Sequence, residues 1–190
     1  MGEQLASDPT TSPTMSGGNF SYGIMPAVGN RRPKWSNTFS AVEAAIGNRG
    51  CSFILQPNNA TTGVWTVDPT TNTPSTFNGP VGINSNTLLI HGARTTWEGN
   101  IGYNDNHVNF ETRADPEGTP FTFNNLPAGQ KSQTDNLFVN ESDQTRLPMA
   151  ENLSTTGSPA PGQNTNNFLR VWYTATHNNQ VISQISPWFD

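Results

Sequence analysis

The chain predicts a mainly β fold, an antiparallel sheet of short strands and hairpins with long irregular loops and at most one short helix; an α+β arrangement is the alternative. Two observations carry this. Only 12% of the residues are charged and 32% hydrophobic, against roughly 25% charged in an ordinary soluble domain, and Asn, Thr, Ser, Gly and Pro fill the difference. Turn-formers with aromatics scattered between them punctuate short strands better than long helices. The second observation is the stretch 97–110, WEGNIGYNDNHVNF. In its run 99–103, Ile101 and Tyr103 alternate with Asn100 and Gly102; in 106–110, Val108 and Phe110 alternate with His107 and Asn109. Period-2 alternation on both sides of Asn104-Asp105, a pair that tolerates left-handed backbone, predicts a β-hairpin with a tight turn. Its apolar side is expected to lie on the domain core.

The length of 190 residues suits one domain with arms. Residues 1–18 read as an extended polar arm, 19–141 as a β-rich globular domain, and 142–167 as a polar linker or second arm. Residues 168–190 read as an aromatic β-ribbon packing on the domain or on a neighbour. Within the domain, 19–25 suits a first strand ended by Pro26. The run Ala-Val-Glu-Ala-Ala in 37–46 has the strongest helix propensity in the chain, with Gly47 at the C-cap place, although it also fits a buried strand. Strands are expected at 51–55 and 63–67, followed by a long polar connection over 68–82 that Pro69, Pro74 and Pro80 keep irregular. TLLIH at 87–91 is the most apolar short run and predicts a central strand leading into the hairpin. Phe121 and Phe123 suggest a short edge strand, and DNLFVN at 135–140 another strand.

The run 168–186 predicts a second hairpin turning at 177–180. Leu169, Val171, Tyr173 and Ala175 would share one face, and Phe168, Arg170, Trp172 and Thr174 the other. Large aromatics on both faces, with Trp188 and Phe189 beyond, imply packing on two sides. Phe168, Trp172, Tyr173, Trp188 and Phe189 are therefore the candidate subunit contacts.

Several functional classes are disfavoured. A net charge of −5, with basic residues clustered only at Arg31, Arg32 and Lys34, gives nucleic acid no footprint. No window of 18 apolar residues or signal-like N-terminus occurs, so no membrane insertion of this chain is expected. Cys51 is single, which excludes an internal disulfide and a zinc set, and its neighbours suit a core position. The sequons at Asn19, Asn59, Asn140 and Asn152 follow from a composition rich in Asn, Ser and Thr. His91, His107 and His177 lie in no nucleophile elbow or metal-binding pair, and phosphate-binding glycine loops are absent. The chain therefore reads as non-catalytic and without a cofactor, calcium excepted. Asn104 and Asp105 offer oxygen ligands of the type calcium takes, against the simpler reading of a turn. Trp35, Trp65, Trp97, Trp172 and Trp188 could form a carbohydrate platform, but core and interface packing claims tryptophan more often.

Two stretches resemble the C-terminal globular region of bacterial prepilin-like proteins, relatives of type II secretion pseudopilins and type IV pilins. They are FSAVEAAIGNRG at 39–50 and His91 followed by WEGNIGYNDNHVNFE at 97–111. Thirteen residues separate His91 from Asp105, where the family motif has nine; Asn106 stands where the motif has glycine; and the polymerising hydrophobic helix is absent. The resemblance implies an extracellular or cell-surface structural domain, a homo-oligomer or filament subunit whose arms and strand edges make the contacts. A virion component, such as a capsid-decorating or tail protein, and a carbohydrate-binding module are the alternatives.

Overall fold

The computed structural model describes residues 22–26, 36, 40–70, 81–90, 92–149, 153–154, 168–178 and 181–188. The expected arm at 1–18, His91, the basic cluster at 31–34, Trp35, most of the linker and Phe189 lie outside them. The fold is mainly β; among the described residues all strand pairing is antiparallel and one helical turn occurs. Its centre is a four-stranded sheet. In the order β1 (Tyr22–Ile24), β2 (Ala44–Asn48), β7 (Gly99–Tyr103), β8 (Val108–Glu111), each strand runs antiparallel to its neighbour. Between β2 and β7 the chain makes the hairpin β3 (Phe53–Gln56) and β4 (Val64–Val67), the helical turn α1 (Thr87–Ile90), and the small hairpin β5 (Gly92–Ala93) and β6 (Thr96–Trp97). Beyond β8 come β9 (Pro120–Thr122) and β10 (Ser132–Thr134), a third hairpin. The C-terminal ribbon pairs β12 (Val171–Asn178) with β13 (Val181–Trp188), whose other edge takes β11 (Leu153–Ser154).

The main core gathers Met25, Cys51, Leu88, Trp97, Ile101 and Leu169 around Phe138. Trp97 meets Phe138 edge-on at 4.6 Å between ring centroids, and its indole N–H donates to the Arg49 carbonyl at 2.9 Å. Leu55, Trp65 and Val139 form a second cluster, joined to the first through Phe53. The ribbon enters this core at its root: Phe168 and Leu169 are fully buried, and the buried Arg170 donates to the Gly50 and Cys51 carbonyls at 3.4 and 3.3 Å. Cys51 is buried, as its neighbours suggested.

Three expected elements differ. The Ala-Val-Glu-Ala-Ala run forms no helix, because its second half is the strand β2, wedged between β1 and β7. Helix propensity is outweighed there by packing: Ile101 and Leu169 lie so close over Gly47 that a Cβ would collide with them. TLLI is a helical turn and not a central strand, because the Ser85 hydroxyl accepts the Thr87 amide at 3.1 Å and caps it. Residues 135–140 are buried without being a strand. The Asn136 side chain accepts the Phe138 amide at 2.9 Å and the Asn136 amide donates to Glu141 at 2.7 Å, while the Asp135 and Leu137 amides donate to the Thr119 and Ala114 carbonyls at 2.9 and 2.8 Å, so side chains and scattered loop bonds stand in for a ladder.

The 97–110 hairpin forms with β7 as expected, but its turn is one residue longer. The Tyr103 amide donates to the His107 carbonyl and the Asn106 amide to the Tyr103 carbonyl, both at 2.9 Å. This closes a three-residue loop, 104–106, whose last residue Asn106 is left-handed (φ 70°). A two-residue turn would pair Ile101 with Val108. The longer turn pairs Ile101 with Asn109 and Gly102 with Val108. One residue of slip turns every side chain of β8 to the other side of the sheet. The expectation that Val108 and Phe110 pack on the core is therefore overturned.

Candidate interaction surface

Strand β8 has inverted polarity. On the core side of the sheet, Ile101 and Tyr103 of β7 are buried, but the residues sharing that side are Asn109 and Glu111 of β8 and His107 just before it. His107 stacks flat on Tyr103 with ring centroids 4.3 Å apart, and the Tyr103 hydroxyl donates to Glu111 at 2.9 Å. Burial pushes the Tyr103 phenol well above its ordinary value, and the hydrogen bond to the Glu111 carboxylate and its negative charge add to this. The core thus ends in a polar margin.

The opposite side of the sheet is apolar and open. Val108 is 66% and Phe110 59% exposed. The registers place Ile24, Ile46, Gly102 and Val108 side by side across all four strands, with Tyr22 beside Ile24 and Phe110 beside Val108. Ile24, Ile46 and Tyr22 are exposed too. Scattered exposed apolar residues need no explanation; a contiguous band across a sheet does call for one. Gly102 leaves the band flat at its middle, since no side chain rises between Ile46 and Val108.

The two edges of this sheet differ. Beyond β1, Ile24 exchanges two backbone hydrogen bonds with Arg170, at 3.0 and 3.2 Å, and its carbonyl accepts the Trp172 indole N–H at 3.0 Å. Beyond β8, no described strand pairs. Because the His107 carbonyl faces β7 and accepts the Tyr103 amide, alternation makes Asn109 and Glu111 the next residues whose backbone faces β7. The N–H and C=O groups of Val108 and Phe110 face outward. Consistently, Asn100, partner of Phe110, turns its amide toward β2, where the Asn48 side chain accepts it at 2.7 Å.

The residues singled out from sequence are placed as follows. Asn104 and Asp105 sit in the hairpin loop with their side chains engaged: Asn104 accepts the Ser40 amide at 3.4 Å and donates to the Ser36 carbonyl at 3.2 Å. Asp105 accepts the His107 amide at 3.2 Å and contacts its ring nitrogen. Desolvation raises the Asp105 carboxyl, but the hydrogen bonds and charge of His107 outweigh it and hold the group below its ordinary value. Among the described residues no three His, Cys, Asp or Glu side chains are grouped to hold a metal. Phe168 is fully buried, edge-on to the half-buried Trp172 at 5.4 Å, so it contributes to this chain's own packing. Tyr173 falls at a register shift between Trp172 and Thr174, and Trp188 pairs with Val171. The side chains of Tyr173 and Trp188 lie outside the described residues, as does Phe189. Trp65 and Trp97 are buried and offer no ring face to a sugar. No described helix is long and apolar enough to cross a membrane.

Sequence reasoning missed the apolar sheet face. Its signal was present: Asn106, a residue that readily turns left-handed, stands where a three-residue hairpin loop needs one. Comparison of the chain with family models, curated proteins and solved structures returned no match.

Proposed function

We propose that this protein is a structural, self-associating subunit of an extracellular bacterial filament or surface assembly, without catalytic activity. The observation that carries the reading is the band Ile24, Ile46, Gly102, Val108, flanked by Tyr22 and Phe110, which meets an open strand edge. A monomer that stayed alone in water would leave this apolar surface exposed and outward backbone groups unpaired at β8, features that sheet proteins ordinarily blunt. Burying both against another subunit gains apolar area and backbone hydrogen bonds together. The prepilin-like resemblance at 39–50 and 91–111 supports placing that assembly outside the cell. Both stretches contribute to the sheet, the first as β2 and the second as β7 and β8.

The test is sedimentation velocity over a wide concentration range, with negative-stain electron microscopy of the most concentrated sample. The reading predicts mass rising with concentration and ordered particles or fibres. A single monomeric species throughout would overturn it.

A further inference from the structure

We propose that β8 pairs with β8 of a second copy, antiparallel about a two-fold axis at Asn109, joining two four-stranded sheets into one of eight strands. The inference rests on the self-association reading above and names its interface. Its first support is the direction of the backbone. Val108 and Phe110 present their N–H and C=O groups outward, and no described residue pairs with them. Residues that face a new strand in this way form the hydrogen-bonded pairs of the added ladder.

The second support is self-complementarity. Centring the two-fold on Asn109 sets Val108 opposite Phe110 of the second copy and Phe110 opposite its Val108, two reciprocal hydrogen-bonded pairs. Both pairs lie on the apolar side, so two valines and two phenylalanines meet at the seam. Pairs of aromatic and β-branched residues are among the favourable cross-strand combinations. The same register sets Glu111 opposite His107 of the second copy on the polar side. Tyr103 occupies one Glu111 oxygen and Asp105 contacts the His107 Nδ1, so the other carboxylate oxygen and Nε2 are the atoms positioned to meet. No like charges oppose each other in this strand.

The third support is the contrast between edges. Arg170 closes the β1 side by two backbone bonds, so among the described strands this sheet has one open edge. A sheet with one open edge pairs isologously and closes as a dimer, which then presents two copies of the apolar band to further subunits. β8 carries neither the Lys nor the Pro that most often blunts an edge.

The test combines two variants of the full chain. Val108→Pro removes an outward N–H that β7 does not use, so the folded monomer is kept while the seam is broken. Asn109→Cys places two thiols at the axis, in a non-hydrogen-bonded pair with Cα atoms about 4.5 Å apart, within disulfide reach. Glu111→Cys is the control, its two copies lying roughly 13 Å apart at about 3.3 Å per residue. The expected result is wild-type dimerisation, a dimer dissociation constant raised at least tenfold in Val108→Pro with an unchanged circular dichroism spectrum, and disulfide dimer under mild oxidation for Asn109→Cys alone. If wild type and Val108→Pro associate equally and Asn109→Cys stays a thiol, edge pairing is overturned while self-association through another surface stands. If wild type is monomeric at every concentration, both fall.

Discussion

Two substitutions in one hairpin separate the buried side of the central sheet from its open side. Ile101 is wholly buried, over Gly47 and beside Leu169. Ile101→Ala removes three carbons at about 0.8 kcal/mol each and leaves a cavity, for a total of about 2–5 kcal/mol. Phe110 on the neighbouring strand is a larger residue, but 59% exposed. Full burial of a phenylalanine is worth about 1.5–3 kcal/mol, and only about two-fifths of this one is covered, so Phe110→Ser should cost about 1 kcal/mol. Urea unfolding at low protein concentration, followed by tryptophan fluorescence, measures both, provided the slopes match wild type. The larger aromatic must cost less than the smaller aliphatic. If Phe110→Ser is as damaging as Ile101→Ala in the monomer, the open face is in fact covered and the reasoning about β8 is wrong.

Other outcomes follow from local geometry. Gly82→Ala drives a Cβ into the backbone of Asp68 and should cost about 1–3 kcal/mol as an overpacking change; a neutral urea midpoint would contradict that contact. Arg170→Leu removes a guanidinium that donates to the Gly50 and Cys51 carbonyls at the root of the ribbon and should cost about 1–3 kcal/mol, with hydrogen exchange rising first at the Ile24 amide. Because the folded carboxyl of Asp105 lies below its ordinary value of 3.8, its contact with His107 stabilises the fold above that pH. The contribution is lost as pH falls through the depressed value. Carbon-13 titration should put the Asp105 midpoint below 3.8, and a midpoint at or above it would refute the contact.

Much of the sheet was legible because alternation is a local property. Strand β7 has the expected bounds and the expected buried residues, Ile101 and Tyr103. The C-terminal hairpin and the strands at Phe53 and Val64 were readable for the same reason. What sequence did not yield was settled by tertiary contact or by single residues. The Ala-rich run became a strand because two neighbours needed a small, flat partner at Gly47, and nothing local announces that. TLLI turned helical on one serine cap, four residues being too few for periodicity to decide. The 135–140 segment is buried with its backbone satisfied partly by the Asn136 and Glu141 side chains and partly by scattered loop bonds such as Asp135 to Thr119 and Leu137 to Ala114, a solution no strand pattern encodes. The exposed apolar face depended on loop length. Reading the hairpin turn as two residues hid Val108 and Phe110 in the core; the third loop residue, Asn106, brings them out.

Self-association of this chain, as proposed, runs through the open side and edge of its four-stranded sheet. Hydrogen-exchange mass spectrometry on β8, compared between dilute and concentrated protein, tests it most directly. The outward amides of Val108 and Phe110 are expected to exchange freely in dilute solution and to become protected as concentration rises. Exchange at both amides that is independent of concentration, in a sample shown to be associated, would contradict it.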